Sequence, residues 1–180
     1  MNSKTIIGIL LAAGVAFVAM KRHTFNFGPQ PETFSAEALA NPLLGTDGEG
    51  STLGEVLEAY RGQTVVIDVW ASWCGDCIKG LPKVRDLQAA TAGKNVQFLF
   101  LSVDEDKGRW KRAIKKHRIE GAHFLVDGGW KSDFGKFLRL DWIPRYVVVD
   151  PRGRVALFKA ITADDEQLGR AIEGKLAGAE

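Results

Sequence analysis

A run of β-branched and apolar residues that leads directly into two cysteines is the feature that most constrains the fold of this chain. Residues 64–70 read TVVIDVW, a composition typical of a strand buried on both faces of a sheet. Cys74 and Cys77 follow within a few residues. Apolar residues then recur with helical spacing at Ile78, Leu81, Val84 and Leu87. The pattern predicts a buried strand that delivers Cys74 to the start of a helix.

The start of a helix is a position that favours a thiolate. Its backbone N–H groups are unpaired and its dipole is positive at that end. Cysteine pKa values fall from about 8.5 to between about 3.5 and 7.5 in such settings. Because the thiolate is the form that attacks a disulfide, we expect Cys74 to be the nucleophile. Cys77, one helical turn later, would resolve the mixed disulfide. Two such exchanges need no metal or organic cofactor.

Other uses of two cysteines fit the sequence less well. A structural zinc site normally needs four ligands, and His23, His117 and His123 are scattered. A c-type haem attachment needs a histidine where Ile78 stands. A purely structural disulfide is disfavoured because so short a loop removes little entropy from the unfolded chain. A non-catalytic module that binds copper through the two thiolates stays open as an alternative.

The remaining patterns predict a compact α/β domain over residues 51–180, with a central mixed sheet flanked by helices. Thr52 and Glu55 have the spacing of a capping box at the first helix. Further strands are predicted at 96–103, 123–126, 146–149 and 154–159, and Thr162 is predicted to cap the final helix.

The helix predicted after Asp104–Asp106 has one strongly basic face. The face could be a docking patch for an acidic partner or a lipid surface, or simply a solvated surface. Its residues are Lys107, Arg109, Lys111, Arg112, Lys115, Lys116 and Arg118.

The amino-terminal segment, residues 1–22, differs from the rest of the chain. Residues 5–20 are uncharged and apolar, and basic residues lie on both sides. They predict an uncleaved membrane anchor, with a cleaved signal segment as the alternative. Residues 23–50 are predicted to form a linker. Three of the 24 basic residues and none of the 22 acidic ones lie in the first 22 positions, so the domain has no basic excess of the kind a nucleic-acid-binding domain shows.

Residues 64–82 resemble the active-site segment of the TlpA/ResA-like thioredoxin family. Pro82 matches the helix proline of thioredoxins, and 142–144 (Trp-Ile-Pro) matches the family's cis-proline loop. The resemblance extends over roughly residues 50–178, including a helix–strand insert around 104–130. It implies a thioredoxin-like fold and a thiol–disulfide oxidoreductase, which we expect to be anchored in the inner membrane or secreted to the periplasm.

The resemblance also implies roles for residues near the cysteines. Pro144 would follow a cis peptide, and the backbone of Ile143 would receive an extended segment of substrate. Apart from the resemblance, the position of Trp73 beside Cys74 predicts that it forms part of an apolar contact surface. Asp68 would be buried and would accept a proton from Cys77, as a carboxylate with a raised pKa can do near neutral pH.

Three departures from the family pattern bear on this site. Gly80 stands where related proteins often have glutamate, and strand 96–103 lacks the lysine that pairs with the buried aspartate of thioredoxin. Asp76 lies between the cysteines and should oppose thiolate formation at Cys74. Arg145, beside the proline, could meet substrate or be solvated.

The expected activity is reduction or exchange of disulfides in envelope proteins, with an upstream membrane electron donor. A disulfide-forming oxidase is the alternative, and the reduction potential would distinguish the two. A thiol peroxidase is disfavoured because Ala71 stands where its usual threonine would be.

Overall fold

Seven strands form one mixed sheet in the computed structural model, which describes residues 30–174. The strands, in the spatial order β2-β1-β5-β4-β3-β6-β7, are β1 (Pro42–Gly45), β2 (Gly50–Thr52), β3 (Thr64–Trp70), β4 (Val96–Ser102), β5 (Ala122–Val126), β6 (Arg145–Val149) and β7 (Val155–Ala160). The β3–β4 and β4–β5 pairs are parallel, and the other pairs are antiparallel. The predicted thioredoxin-like α/β fold with a mixed sheet is confirmed.

Within residues 30–174, six helices accompany the sheet. They are α1 (Ala36–Leu39), α2 (Leu53–Ala59), α3 (Gly75–Thr91), α4 (Lys107–His117), α5 (Asp133–Phe137) and α6 (Glu166–Ile172), with a 3-10 turn at Gly129–Lys131. The capping box at Thr52 and Glu55 is present, as predicted. At the start of each longer helix, a side chain accepts a hydrogen bond from an otherwise unpaired backbone N–H group of that helix.

Strand β3 lies inside the sheet, between β4 and β6, and every residue from Val65 to Trp70 is buried. Side chains on both faces of the strand are buried, which is why its sequence does not alternate with polar residues. Helix α3 starts directly after β3 and continues through Pro82, burying Leu81 and Val84. The strand and the helix together fix the position of the cysteine pair.

The predicted linker, 23–50, contains more structure than its composition indicates. Helix α1, strand β1 and the first residue of β2 lie in this range. Phe34 is buried, with its ring 5.0 Å from that of Phe137 in α5. Elements of four residues are too short to show a periodicity. The contacts that order them come from distant parts of the chain.

One further difference concerns the cap of the final helix. The final helix is capped by Asp165, which accepts from the N–H of Gln167, and Thr162 lies before it. The predicted membrane or signal segment, 1–22, lies outside the described residues. Within 30–174, no helix has the length and apolar character needed to span a bilayer.

Candidate functional site

The two cysteines form a disulfide at the amino terminus of α3. Cys74 is the N-cap residue, and the backbone N–H of Cys77 donates to its Sγ over 3.0 Å. The Sγ atoms are bonded at 2.11 Å, and the two residues are only 6% and 5% exposed. When the disulfide is reduced, the same N–H and the helix dipole stabilise a Cys74 thiolate. The geometry therefore places Cys74 Sγ, as the N-cap atom, at the end of the helix that favours negative charge.

The loop before β6 lies against this disulfide. The Ile143–Pro144 peptide is cis, as the family resemblance implies. The carbonyl oxygen of Ile143 lies 3.6 Å from Cys74 Sγ. A disulfide sulfur carries no proton, so this is a contact rather than a hydrogen bond in the oxidised protein. The pairing of Val69 with Arg145 across β3 and β6 sets the position of the loop.

Asp68 is buried in the middle of β3, as predicted. It is 4% exposed, and burial raises its pKa from 3.8 to about 7. The Tyr146 hydroxyl donates to its carboxylate and opposes that shift. Its Oδ1 atom has no hydrogen-bond partner among the described residues. The carboxyl group can therefore exchange a proton near neutral pH.

Tyr146 is a site residue that sequence reasoning missed. It is the direct partner of Asp68 in the antiparallel β3–β6 pair, so the two side chains lie on one face of the sheet. Burial, and then the nearby Asp68 carboxylate, raise the pKa of Tyr146 well above its usual range, which keeps it a donor. On the other side of β3, the partner of Asp68 is Phe100, so no lysine faces the carboxylate from there. No local pattern specifies this strand register.

Asp104 is a second residue whose position the sequence did not predict. Its carboxylate accepts from the Ser72 N–H at 2.8 Å, from the Ser72 hydroxyl at 2.6 Å and from the Ser102 hydroxyl at 2.7 Å. It thereby holds the turn that leads from β3 to Cys74. The acid that caps α4 is Asp106, which accepts from the Arg109 N–H at 2.9 Å.

Arg145 has a different role from either one expected. It is 1% exposed, so it is neither solvated nor available to substrate. Its guanidinium donates to the Leu138 carbonyl at 2.9 Å and pairs with Asp141, which also binds Lys159 at 2.9 Å. These contacts fasten the segment on both sides of the cis-proline loop.

A groove of about 300 Å³ runs beside this loop. Trp142, Pro144 and Tyr146 line one side, and Gly80 on α3 lines the other. A Cβ atom at Gly80 would meet no atom within 4 Å, so the missing glutamate side chain leaves open space there. Trp73 is 59% exposed and Trp142 is 55% exposed, and both lie close to the disulfide in sequence or space. Trp70, in contrast, is a core residue at 2%.

The part of the chain that the structure describes contains no cluster of three or more His, Cys, Asp or Glu residues able to hold a metal. The site consists of a disulfide, a buried carboxyl group and apolar surface. These groups can supply thiol–disulfide exchange and proton transfer.

Comparison with known proteins agrees with this chemistry. The Redoxin family matches residues 35–167. The thiol-disulfide oxidoreductase ResA of one Bacillus cereus strain is 25% identical over 173 residues, which cover 96% of this chain and 92% of ResA. ResA of a second Bacillus cereus strain is 23% identical over 152 residues, 84% of this chain and 83% of that protein.

Solved structures show the same fold. A thiol:disulfide interchange protein from Bacteroides sp. superposes with a TM-score of 0.64 at 24% identity, covering 84% of this chain and 95% of that one. The resemblance drawn from residues 64–82 is thus confirmed. The chain belongs to the Redoxin family, and its cysteine pair gives it the chemistry of a thiol–disulfide oxidoreductase.

Proposed function

We propose that this protein reduces or exchanges disulfides of other envelope proteins through Cys74 and Cys77. One observation carries the proposal: the disulfide lies at the start of α3, with Cys74 Sγ 3.6 Å from the carbonyl of a cis-proline loop. A sulfur in that position is stabilised as a thiolate by the helix and lies beside backbone that an extended substrate can pair with.

The reaction consists of two exchanges. The Cys74 thiolate attacks one sulfur of the substrate disulfide, a mixed disulfide forms, and the other substrate sulfur leaves as a thiolate that takes a proton. Cys77 then loses its proton and attacks Cys74 Sγ, which releases the second substrate sulfur as a thiol. The enzyme ends as the Cys74–Cys77 disulfide and needs two electrons from a dithiol donor, which we assign to the membrane.

Asp68 is proposed to accept the proton of Cys77 in the second step. It is buried, carries a pKa of about 7, and has one oxygen without a hydrogen-bond partner among the described residues. A carboxylate in that state can take up a proton near neutral pH and return it to solvent. Because position 80 is glycine rather than glutamate, Asp68 is the main candidate for this proton transfer.

Substrate binding is proposed along the cis-proline loop. The backbone of Ile143 would pair with an extended segment of substrate, while Trp73 and Trp142 would contact its apolar side chains. Both tryptophans are more than half exposed. Tryptophan is enriched among the residues that contribute most to binding at protein–protein interfaces.

The location of the protein is proposed from the sequence. Residues 5–20 would form a membrane anchor that leaves the domain in the periplasm, and cleavage within this region would instead release a secreted domain. Protease protection of the full chain in spheroplasts, with its apparent mass, would distinguish these outcomes.

A redox titration tests the proposed direction. The full chain, in neutral detergent, is equilibrated with dithiothreitol and glutathione buffers, and tryptophan fluorescence is read. A two-electron midpoint near or below about −230 mV supports a reductase, and one near about −120 mV shows an oxidase. If no two-electron transition is found, both the reductase and the oxidase are refuted, and the non-catalytic thiol module that binds metal remains. The Cys77→Ser variant, which cannot form the disulfide, is the control.

A further inference from the structure

Helix α4 and Trp73 together form a groove of about 760 Å³ beside the disulfide. We name it the basic groove; it is lined by Trp73, Arg109, Arg112, Lys115, Lys116 and His117. None of the described residues that line it carries a carboxylate. Trp73 directly precedes Cys74, so the groove opens beside the reacting sulfur.

Two of the four cations of the basic groove, Lys115 and Lys116, are available to a partner, whereas Arg109 and Arg112 interact with the Asp106 carboxylate. Arg109 lies 3.6 Å from the Asp106 carboxylate. Lys115 and Lys116 are exposed and form no ion pair with any residue in the described range 30–174. They lie in the last turn of α4, the end of the helix farthest from Asp106. Positive charge without a counter-charge, next to an exposed tryptophan, favours an anionic ligand with some apolar surface.

The other side of Trp73 differs in charge. A second depression there is lined by three carboxylates (Asp104, Glu105 and Asp106) and by two cations (Arg109 and Lys131). Glu105 and Asp106 are exposed beside the tryptophan and would repel a flat anionic surface that extended across it. A bilayer resting on the basic groove would also cover the disulfide. A narrow acidic segment of a protein avoids both problems.

We infer that the basic groove docks an acidic stretch of the protein substrate, next to the cysteine that exchanges with Cys74. This inference rests on the proposed function and adds a substrate class to it. Helix α4 has 11 residues and is roughly 16 Å long at about 1.5 Å per residue. An extended segment of about five residues, at roughly 3.3 Å each, spans that length. The substrate class is therefore disulfide proteins with several acids within about five residues of the reacting cysteine.

The test compares peptides that differ only in the flank of one disulfide. Three peptides carry four Asp, four Ser or four Lys residues beside the same disulfide-bonded cysteine. The full chain, reduced and held in neutral detergent, is mixed with each peptide, and the second-order rate is read from tryptophan fluorescence. We expect the Asp peptide to react about fivefold faster than the Ser peptide, as two exposed charge contacts allow. Half-molar salt should abolish the preference.

Two double variants, each of which removes two positive charges, test whether the preference arises at the basic groove. Lys115→Gln/Lys116→Gln removes two charges that line the basic groove, and it should abolish the preference for the Asp peptide. Lys107→Gln/Lys111→Gln removes two charges from the same helix outside the groove, and it should keep most of the preference. Lys107→Gln/Lys111→Gln should also react with the Ser peptide at the wild-type rate.

The outcomes separate this inference from the proposed function. Equal rates with the three peptides would overturn the docking inference and leave the proposed function intact. No reaction with any peptide would refute the proposed function itself. Loss of the preference in both double variants would show that it depends on net charge alone. It would overturn the assignment of docking to the basic groove. A tryptophan fluorescence change on adding phosphatidylserine vesicles, if it is lost in Lys115→Gln/Lys116→Gln and no peptide preference is seen, would assign the surface to lipid instead.

Discussion

Replacing Asp68 by asparagine should stabilise the oxidised protein at high pH. An unfolded aspartate ionises near its ordinary pKa of 3.8, whereas burial raises the pKa of folded Asp68 to about 7. Between these values the folded protein holds one proton more than the unfolded chain, so stability falls as pH rises. Above pH 7 the ionised, buried carboxylate costs a constant amount. Asparagine, being uncharged, removes the cost.

The magnitude follows from the difference between the two pKa values. Each pKa unit is worth about 1.36 kcal/mol, so the full cost above pH 7 is about 4 kcal/mol. Between about 1 and 2 kcal/mol of it is already present at pH 5. The stability of Asp68→Asn relative to wild type should therefore increase by about 2 to 3 kcal/mol between pH 5 and pH 8.5.

Urea unfolding without reductant, followed by fluorescence at pH 5 and pH 8.5, measures this change with the Cys74–Cys77 disulfide intact. Comparing one variant at two pH values cancels the pH-independent effects of the amide. A relative stability that is the same at both pH values, within about 0.5 kcal/mol, would refute the raised pKa of Asp68.

Tyr146→Phe is the matched control, because it should give the opposite trend. It removes the hydroxyl that donates to Asp68, and a hydrogen bond to an ionised acceptor is stronger than one to a neutral acceptor. The loss of stability in Tyr146→Phe should therefore be larger at pH 8.5 than at pH 5.

Three further substitutions test the residues that surround the cysteine pair. Asp104→Ala leaves Ser72 without its acceptor, and should lower the free energy of unfolding by about 1–3 kcal/mol in urea unfolding. Gly80→Glu enters open space on a helix and should raise stability by about 0.5 kcal/mol while increasing the rate of the second exchange in stopped-flow fluorescence. Arg145→Met leaves the Leu138 carbonyl without its donor, and should lower the thermal midpoint and slow peptide reduction. An unchanged midpoint would contradict the structural role of Arg145.

Local sequence patterns were sufficient for the elements that carry the cysteines. Residues 65–70 are buried on both faces of the sheet, and Cys74 begins a helix whose apolar positions recur with helical spacing. The cis peptide at Pro144 is not a matter of local propensity, and the resemblance to a family supplied it. Asp68 could be recognised because a charged residue interrupts an apolar strand.

The surroundings of these residues were decided by the tertiary structure. Tyr146 faces Asp68 through the register of an antiparallel pair, and Asp104 binds Ser72 from 32 residues away. Arg145 is buried because Leu138 and Asp141 fold back over it. Periodicity and capping depend on neighbours within about four residues, so a sequence displays them. Strand order and register depend on which segments pack together, and only the folded chain brings those partners within hydrogen-bonding distance.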